Sequence, residues 1–426
     1  LSIRRQRQMC IRDSLLTVVK LLVILCIVAT IHEFGHFLMS KLCKAKVNEF
    51  SIGFGPKIVQ KQFGETMYSL RWLPLGGYCA IEGEDGDSEA DNSFAKKNTL
   101  QKILILIMGA TFNAILAVVI FVSIAFSTNT YTTKVLDVED GSILANAGIE
   151  SGDVITKVNS KKVNILSDIV NMAVPENKDV EVEYVRNGEK HVTTVNDAVT
   201  EIGYIGVSFS VDENSNVTNV VDMVASGSAA ADSKLKAGDK IVSIDGLETS
   251  NASQVISYVR QNANKELSFV VERNGETIEE KVTPVAKKVF DLNITNAEYA
   301  KTNLKLAFAS AYSNVKAIVG SYVDLFRGKV GVKDMSGIVG IGEVVSKTSG
   351  ILEFLNLMGI ISLAIGVANI MPFPPLDGGK IVIVIGEAIT RKKLPIKAEA
   401  IISYIGFGLL IALTLVVTYN DIIRII

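Results

Sequence analysis

Apolar residues gather in four long runs, at about 15–39, 103–126, 354–373 and 401–419. Each is long enough to cross a bilayer core of roughly 30 Å as a helix. Pro372, Pro374 and Pro375 interrupt the third, which has an apolar continuation to about 389. Helix breakers at that depth are tolerated where the backbone lines a cavity or packs in protein. Between 128 and 352 the pattern changes to short alternating apolar and polar segments with Gly, Asn and Asp turns, as in strands of a water-facing domain. Two stretches there repeat. Ala147-Gly148-Ile149-Glu150-Ser151-Gly152-Asp153-Val154-Ile155 parallels Leu235-Lys236-Ala237-Gly238-Asp239-Lys240-Ile241, and Arg186-Asn187-Gly188-Glu189 parallels Arg273-Asn274-Gly275-Glu276. The separations agree to within one residue, so one small domain occurs twice. Each copy predicts short strands, a Gly-Asp turn, a helix (about 165–173 and 251–262) and a hairpin closed by Asn-Gly. Residues 296–327, with Tyr299, Leu304, Leu306, Phe308, Tyr312, Val315 and Ile318, predict an amphipathic helix ahead of a Gly-rich segment, Gly328 to Gly342.

Charge sets the expected orientation. The 40–102 loop carries Lys41, Lys44, Lys46, Lys57, Lys61, Arg71, Lys96, Lys97 and Lys102, and the loop before the last span carries Arg391, Lys392, Lys393 and Lys397. Short basic loops stay in the cytoplasm, which puts the 128–352 segment and both termini outside. Arg4, Arg5, Arg7 and Arg12 favour the opposite orientation. Residues 1–13 are therefore read as a non-native scar and set aside, and no small-residue cleavage site follows to make them a signal peptide.

Composition agrees with a membrane protein that has substantial soluble parts. Of 426 residues, 48% are hydrophobic, and the formal net charge of -2 points away from nucleic acid. The four cysteines, at 10, 26, 43 and 79, form no CxxC pair, which argues against a disulfide framework or a cysteine metal site.

The candidate chemistry sits inside the first apolar run, in His32-Glu33-Phe34-Gly35-His36. Residues four apart share a helix face, so both imidazoles can reach one metal ion, with Glu33 beside them as a base. Ionisable residues at membrane depth are functional by default. Catalytic zinc takes three protein ligands and a water. The third histidine, His191, lies in the external segment and reads as a surface residue, so a carboxylate is expected. The best candidate is Asp377, which closes the broken third span at the same inner depth as His32 and His36. Zinc would polarise a water and the scissile carbonyl while Glu33 takes the water's proton.

Two resemblances extend this reading. The repeated copies resemble PDZ domains of bacterial envelope proteases, which implies binding of peptide C-termini or extended segments at a sheet edge; a spacer without ligand is the alternative. The HEFGH string together with Asn369-Ile370-Met371-Pro372-Phe373-Pro374-Pro375-Leu376-Asp377-Gly378-Gly379 resembles the site-2 protease family of intramembrane zinc metalloproteases, in its bacterial envelope-stress form with two PDZ domains. That resemblance implies His32, His36 and Asp377 as Zn2+ ligands, Glu33 as acid/base, and Asn369 as a residue holding substrate or the oxyanion. It further implies a re-entrant β-hairpin around Gly53-Phe54-Gly55, an edge strand at Pro74-Leu75-Gly76-Gly77-Tyr78 that pairs with substrate, and a substrate contact at Asn113 in the Gly109-containing second helix. Ser336-Gly337-Ile338 departs from the family's Ser-Gly-Pro.

The expected architecture is a polytopic α-helical membrane protein of about four transmembrane helices with a re-entrant β-hairpin, plus two tandem PDZ-like α+β domains. The parts fall at 14–127 and 353–426 for the membrane catalytic domain, at 128–202 and 203–288 for the PDZ-like copies, and at 289–352 for the amphipathic helix and Gly-rich connector. The expected function is zinc-dependent cleavage of single-span membrane partners within the bacterial cytoplasmic membrane. The active site lies toward the cytoplasm and the PDZ-like domains outside, and cutting follows a first extracytoplasmic cut and frees, for example, the inner domain of an anti-sigma factor. A membrane-anchored PDZ adaptor with a structural or inactive metal site is the alternative from another class; loss of any one of the four motif residues would have favoured it. A surface peptidase acting on soluble proteins would need a polar stripe that residues 21–31 lack.

Overall fold

The computed structural model describes residues 2–425 except 85, 87, 212–216, 226, 293, 295, 329–334, 336 and 349; the side chains of 2–14, 211, 347, 424 and 425 also lie outside the described set. Of the Gly-rich segment, most of 328–337 therefore falls outside it, including Ser336. The chain divides into two compact units, Leu1–Thr128 with Thr302–Ile426, and Asn129–Lys301.

In chain order, α1 (Ser2–Leu42) is followed by β1 (Val47–Phe63), β2 (Thr66–Ile81) and α2 (Thr99–Ser127). A capping box opens α2: Asn98 Oδ1 accepts from the Gln101 N–H at 2.9 Å, and Gln101 Oε1 from the Asn98 N–H at 3.3 Å. The hairpin of β1 and β2 doubles back on itself. Residues 49–52 pair with 67–70 on one side and with 77–80 on the other, while 57–63 pair with 66–71. Four rows result, and the 77–81 stretch forms one edge.

The second unit opens with β3 (Asn129–Asp137), α3 (Ile143–Asn146), β4 (Val154–Val158), β5 (Lys161–Lys162), α4 (Leu166–Val170), β6 (Val180–Arg186), β7 (Glu189–Val195) and β8 (Val199–Tyr204). It continues with β9 (Val207–Val211), β10 (Val217–Val224), α5 (Ala229–Asp232), β11 (Lys240–Ile244), β12 (Leu247–Glu248), α6 (Ala252–Gln261), β13 (Leu267–Arg273), β14 (Glu276–Val282), β15 (Val285–Phe290) and β16 (Asn296–Lys301). Two antiparallel sheets of matching order result, β16-β3-β4-β6-β7 and β9-β10-β11-β13-β14, while β8 pairs with β15. Each encloses its own apolar core, one around Ile155 and Val182 and the other around Ile241 and Phe269.

The repeated motifs hold these sheets together in the same way twice. Asp153, fully buried after the Gly152 turn, takes two bonds from Arg186 at 2.7 and 2.8 Å; Asp239 takes two from Arg273 at 2.6 and 2.8 Å. Each arginine precedes an Asn-Gly pair at positive φ, Asn187-Gly188 and Asn274-Gly275, the conformation a two-residue hairpin turn demands. A buried carboxylate requires such a partner.

Two differences from the sequence reading stand out. Residues 296–301 are a strand, not the start of a helix, because β16 hydrogen-bonds along β3, register Tyr299 to Tyr131. It adds a strand to the first sheet from beyond residue 202, where the sequence reading closes the first copy. The repeat helices are also shorter than expected, five residues in α4 and ten in α6.

The first unit resumes with α7 (Leu304–Phe326), α8 (Ile338–Lys347), α9 (Ile351–Ile370), α10 (Asp377–Thr390) and α11 (Ile396–Ile425). Among the described residues, four helices are long and apolar enough to cross a membrane: Leu15–Leu42, Thr99–Ser127, Ile351–Ile370 and Ile396–Ile423. The proline cluster ends α9, since proline has no N–H to continue a helix, and α10 restarts at Asp377. Helix α2 packs on α1, α7 and α9 around Ile24, Val28, Ala117, Phe121, Met358 and Leu363. Opposite charges hold α8 at its ends: Asp421 of α11 accepts from the N–H groups of Gly337 and Gly340 at 2.9 and 2.8 Å, and Lys20 of α1 donates to the Thr348 carbonyl at 2.7 Å. Both follow the helix dipole.

Candidate metal centre

His32 and His36 lie on one face of α1 and are both buried. Gly35, between them, touches the second helix backbone to backbone: a Cβ there would stand 2.7 Å from the carbonyl carbon of Met108. On the facing turn, a Cβ on Gly109 would stand 2.8 Å from His32 Nε2. Two glycines thus let α1 and α2 close around the imidazoles. On the third side Gly366 brings α9 against Ala110 and Asn113, and Gly378 and Gly379 fold the turn before α10 back onto 370–374. Gly406 of α11 lies against the Pro374 carbonyl of that turn.

The result joins the two ends of the chain. Asp377 Oδ2 lies 3.1 Å from His32 Nε2 and 3.3 Å from His36 Nε2, and the two Nε2 atoms are 3.1 Å apart. Four-coordinate zinc with bonds near 2.0–2.1 Å separates its ligand atoms by about 3.3 Å, so this triangle has the size of one face of such a site. Its chemistry agrees. His36 Nδ1 donates to the Ile105 carbonyl at 2.9 Å, which leaves the Nε2 lone pair pointing at the shared point. Asp377 Oδ2 is buried and receives no hydrogen bond. Two imidazole nitrogens and a carboxylate oxygen converging on one point suit a cation. Among the described residues, His32, His36 and Asp377 form a group able to hold a metal.

Glu33 projects from the next position of α1, half-buried, and its Oε2 accepts from the backbone N–H of Cys79 at 3.0 Å. That bond ties the edge row of the hairpin to the helix carrying the imidazoles. Gly76 and Gly77 make the approach close: a Cβ on Gly76 would stand 3.2 Å from the Ala29 methyl, and one on Gly77 3.7 Å from the Thr30 hydroxyl. Tyr78 follows, stacked on Phe54 at 6.0 Å between centroids. Gly53 is buried at the bend, while Phe54 and Gly55 are exposed.

Asn369, near the end of α9, brings its Nδ2 to 3.5 Å from both nitrogens of His32. Asn113 is fully buried behind His32, with Nδ2 3.5 Å from His32 Nδ1. That position sets the Asn113 side chain beside the imidazole. His191 lies on β7, stacked on Tyr184, in the other unit.

Sequence reasoning did not single out three features here: the Cys79 N–H, the meeting of Gly35 with the α2 backbone at Met108, and the ion pair of Lys380 with Glu84 at 2.9 Å. Small residues facing each other on two apolar helices are the readable signal for such a crossing. A backbone donor leaves no signal.

A family model described as peptidase family M50 matches residues 20–413. The zinc metalloprotease RasP of Geobacillus kaustophilus is 26% identical over 434 residues, covering 96% of this chain and 98% of that protein. An Enterococcus faecalis protein named "Probable protease eep" is 29% identical over 441 residues, covering 96% and 99%. Among solved structures, the HtrA-type protease AlgW with decapeptide aligns over 26% of this chain and 49% of its own at 16% identity, with a TM-score of 0.20.

Proposed function

The chain belongs to peptidase family M50, and from that membership we propose that this multi-pass membrane metalloprotease is a zinc-dependent endopeptidase cutting inside the transmembrane segments of partner proteins. The convergence of His32, His36 and Asp377 among apolar helices, with Glu33 beside them, carries the reading.

His32, His36 and Asp377 would hold Zn2+, which supplies a Lewis acid at neutral pH. Glu33 acts as the base. Cys79 fixes one of its carboxylate oxygens, and the other takes the proton of the attacking water and returns it to the departing amine. The Asn369 amide donates to the oxygen on which charge develops. A substrate helix must unwind before its amides can be cut, and the edge row that includes Tyr78 offers the freed backbone hydrogen-bonding partners.

The hairpin enters the membrane as a re-entrant element, with Phe54, Leu73 and Leu75 exposed on it. The basic loops support an orientation with the site toward the cytoplasm of a bacterial inner membrane and the 129–301 unit outside. Its two similar sheets act as tandem PDZ-like modules that bind peptide C-termini or extended segments and admit single-span substrates after a first extracytoplasmic cut. The product is a cytosolic fragment such as the inner part of an anti-sigma factor.

The test is Glu33→Gln against a model transmembrane substrate in detergent, with metal content measured alongside. Retained zinc with abolished cutting is expected. Cutting that survives removes Glu33 from the reaction, and zinc-loaded protein that cuts no membrane substrate with Glu33 intact favours an adaptor.

A further inference from the structure

The edge row of the hairpin poses a register problem. It meets α1 through Gly76 and Gly77, which have no side chains of their own to interlock, and register is weakly specified in glycine-rich strands. Yet its position relative to Glu33 decides which substrate amide would be presented. The Cys79 N–H fixes it at one point, and the rest of the row needs a second hold.

One guanidinium reaches every part of the hairpin that matters. Arg71 donates to Ser51 Oγ at 3.1 Å and to Glu49 Oε1 at 2.8 Å on the central row, to the Gly55 carbonyl at 2.8 Å at the bend, and to the Tyr78 hydroxyl at 2.7 Å on the edge row. Ser69 also donates to Glu49. The Arg71 and Glu49 side chains are only 16% and 20% exposed, amid the exposed apolar residues Phe54, Trp72, Leu73 and Leu75. A buried ion pair seldom holds a sheet better than an apolar pair of equal volume. What a planar guanidinium adds is fixed geometry. Tyr78, held by Arg71 and stacked on Phe54, immediately precedes Cys79, whose N–H holds Glu33.

We propose that Arg71, buttressed by Glu49, is a positioning residue that sets the register of the 73–81 edge row against Glu33 and thereby selects the peptide bond cut. This rests on the intramembrane endopeptidase reading above.

The test uses the full-length protein in nanodiscs with a single-span model substrate, products read by mass spectrometry, in Arg71→Met, Tyr78→Phe and Glu33→Gln. Arg71→Met is expected to lose about tenfold in kcat with KM within about twofold, since misplacing a bound group costs turnover more than binding. Its products should include cuts displaced by two residues, because a two-residue slip keeps each side chain on its face. Zinc content and unfolding midpoint should match the parent. Tyr78→Phe, which deletes one hydroxyl, should show the same shift more weakly and carries the test should Arg71→Met fold poorly. A single product at the parental bond from folded, zinc-loaded variants overturns the proposal, whatever the rate. Cutting by Glu33→Gln would instead remove Glu33 from the reaction, with the register result separately visible, and a zinc-loaded parent that cuts no membrane substrate would sink the endopeptidase reading.

Discussion

Gly109 lies flush against His32, with the site of its missing Cβ 2.8 Å from the imidazole Nε2. Alanine is a better helix former than glycine by about 1 kcal/mol, so Gly109→Ala should strengthen α2 as an isolated helix. In the protein the added methyl displaces both imidazoles. Gly109→Ala is therefore expected to keep its helical content and lose most of its bound zinc and peptidase activity, read by circular dichroism and metal analysis. Full zinc occupancy in this variant would show that the two helices stand further apart at the site.

Asn113 illustrates support for a ligand from behind. Turned about χ2, its amide would bring the oxygen, which has no partner as placed, to accept a His32 Nδ1 proton, leaving the Nε2 lone pair free for a metal. Loss of such a partner typically costs about 10- to 100-fold in metal affinity. Asn113→Ala should show this by competition with a chelator, with KM for substrate unchanged. A raised KM with parental zinc affinity would mark Asn113 as a substrate contact instead.

The second unit should answer to acid through Asp153. Burial pushes its carboxyl pKa up, but the Arg186 guanidinium and the Glu150 N–H outweigh that and hold it below the ordinary carboxylate range. A carboxyl lowered on folding contributes stability that is complete above its unfolded pKa, about 3.9, and lost as pH falls through the folded value. Hydrogen exchange in β4 and β6 of the full chain should show protection steady from pH 7 to about 4 and declining below. Asp153→Asn should lower protection at neutral pH, and the two curves should converge in acid. Curves that stay parallel would mean the pair adds nothing to stability.

What the chain discloses before folding depends on how local the signal is. The spacing of His32 and His36 needs only the helical period, and the proline break before Asp377 needs only the missing N–H, so three converging groups are legible from local rules plus membrane depth. The four apolar helices are legible for the same reason. β16 is not: Tyr299 and its neighbours fit a helical period, and only pairing with β3, far back in the chain, makes them a strand. The doubled hairpin is hidden too, because one apolar row pairs on both sides. Asp153 with Arg186 shows as a repeated motif, whereas their contact appears only after folding.

Lys380 follows Asp377 by three positions, one turn into α10, and its ammonium donates to Glu84 beyond the edge row at 2.9 Å. The two side chains are 24% and 19% exposed, so the pair is partly screened but not a surface contact. It connects the helix that carries the Asp377 carboxylate to the loop leaving the row that holds Glu33. Removing either partner leaves the other charge half-buried, which costs more than removing both. Lys380→Met and Glu84→Gln should each lower zinc affinity and thermal midpoint, and the double variant should recover part of both, with a coupling of about 1 kcal/mol. Additive losses would mean that α10 and the hairpin are held independently, and that the position of Asp377 is set by the proline turn alone.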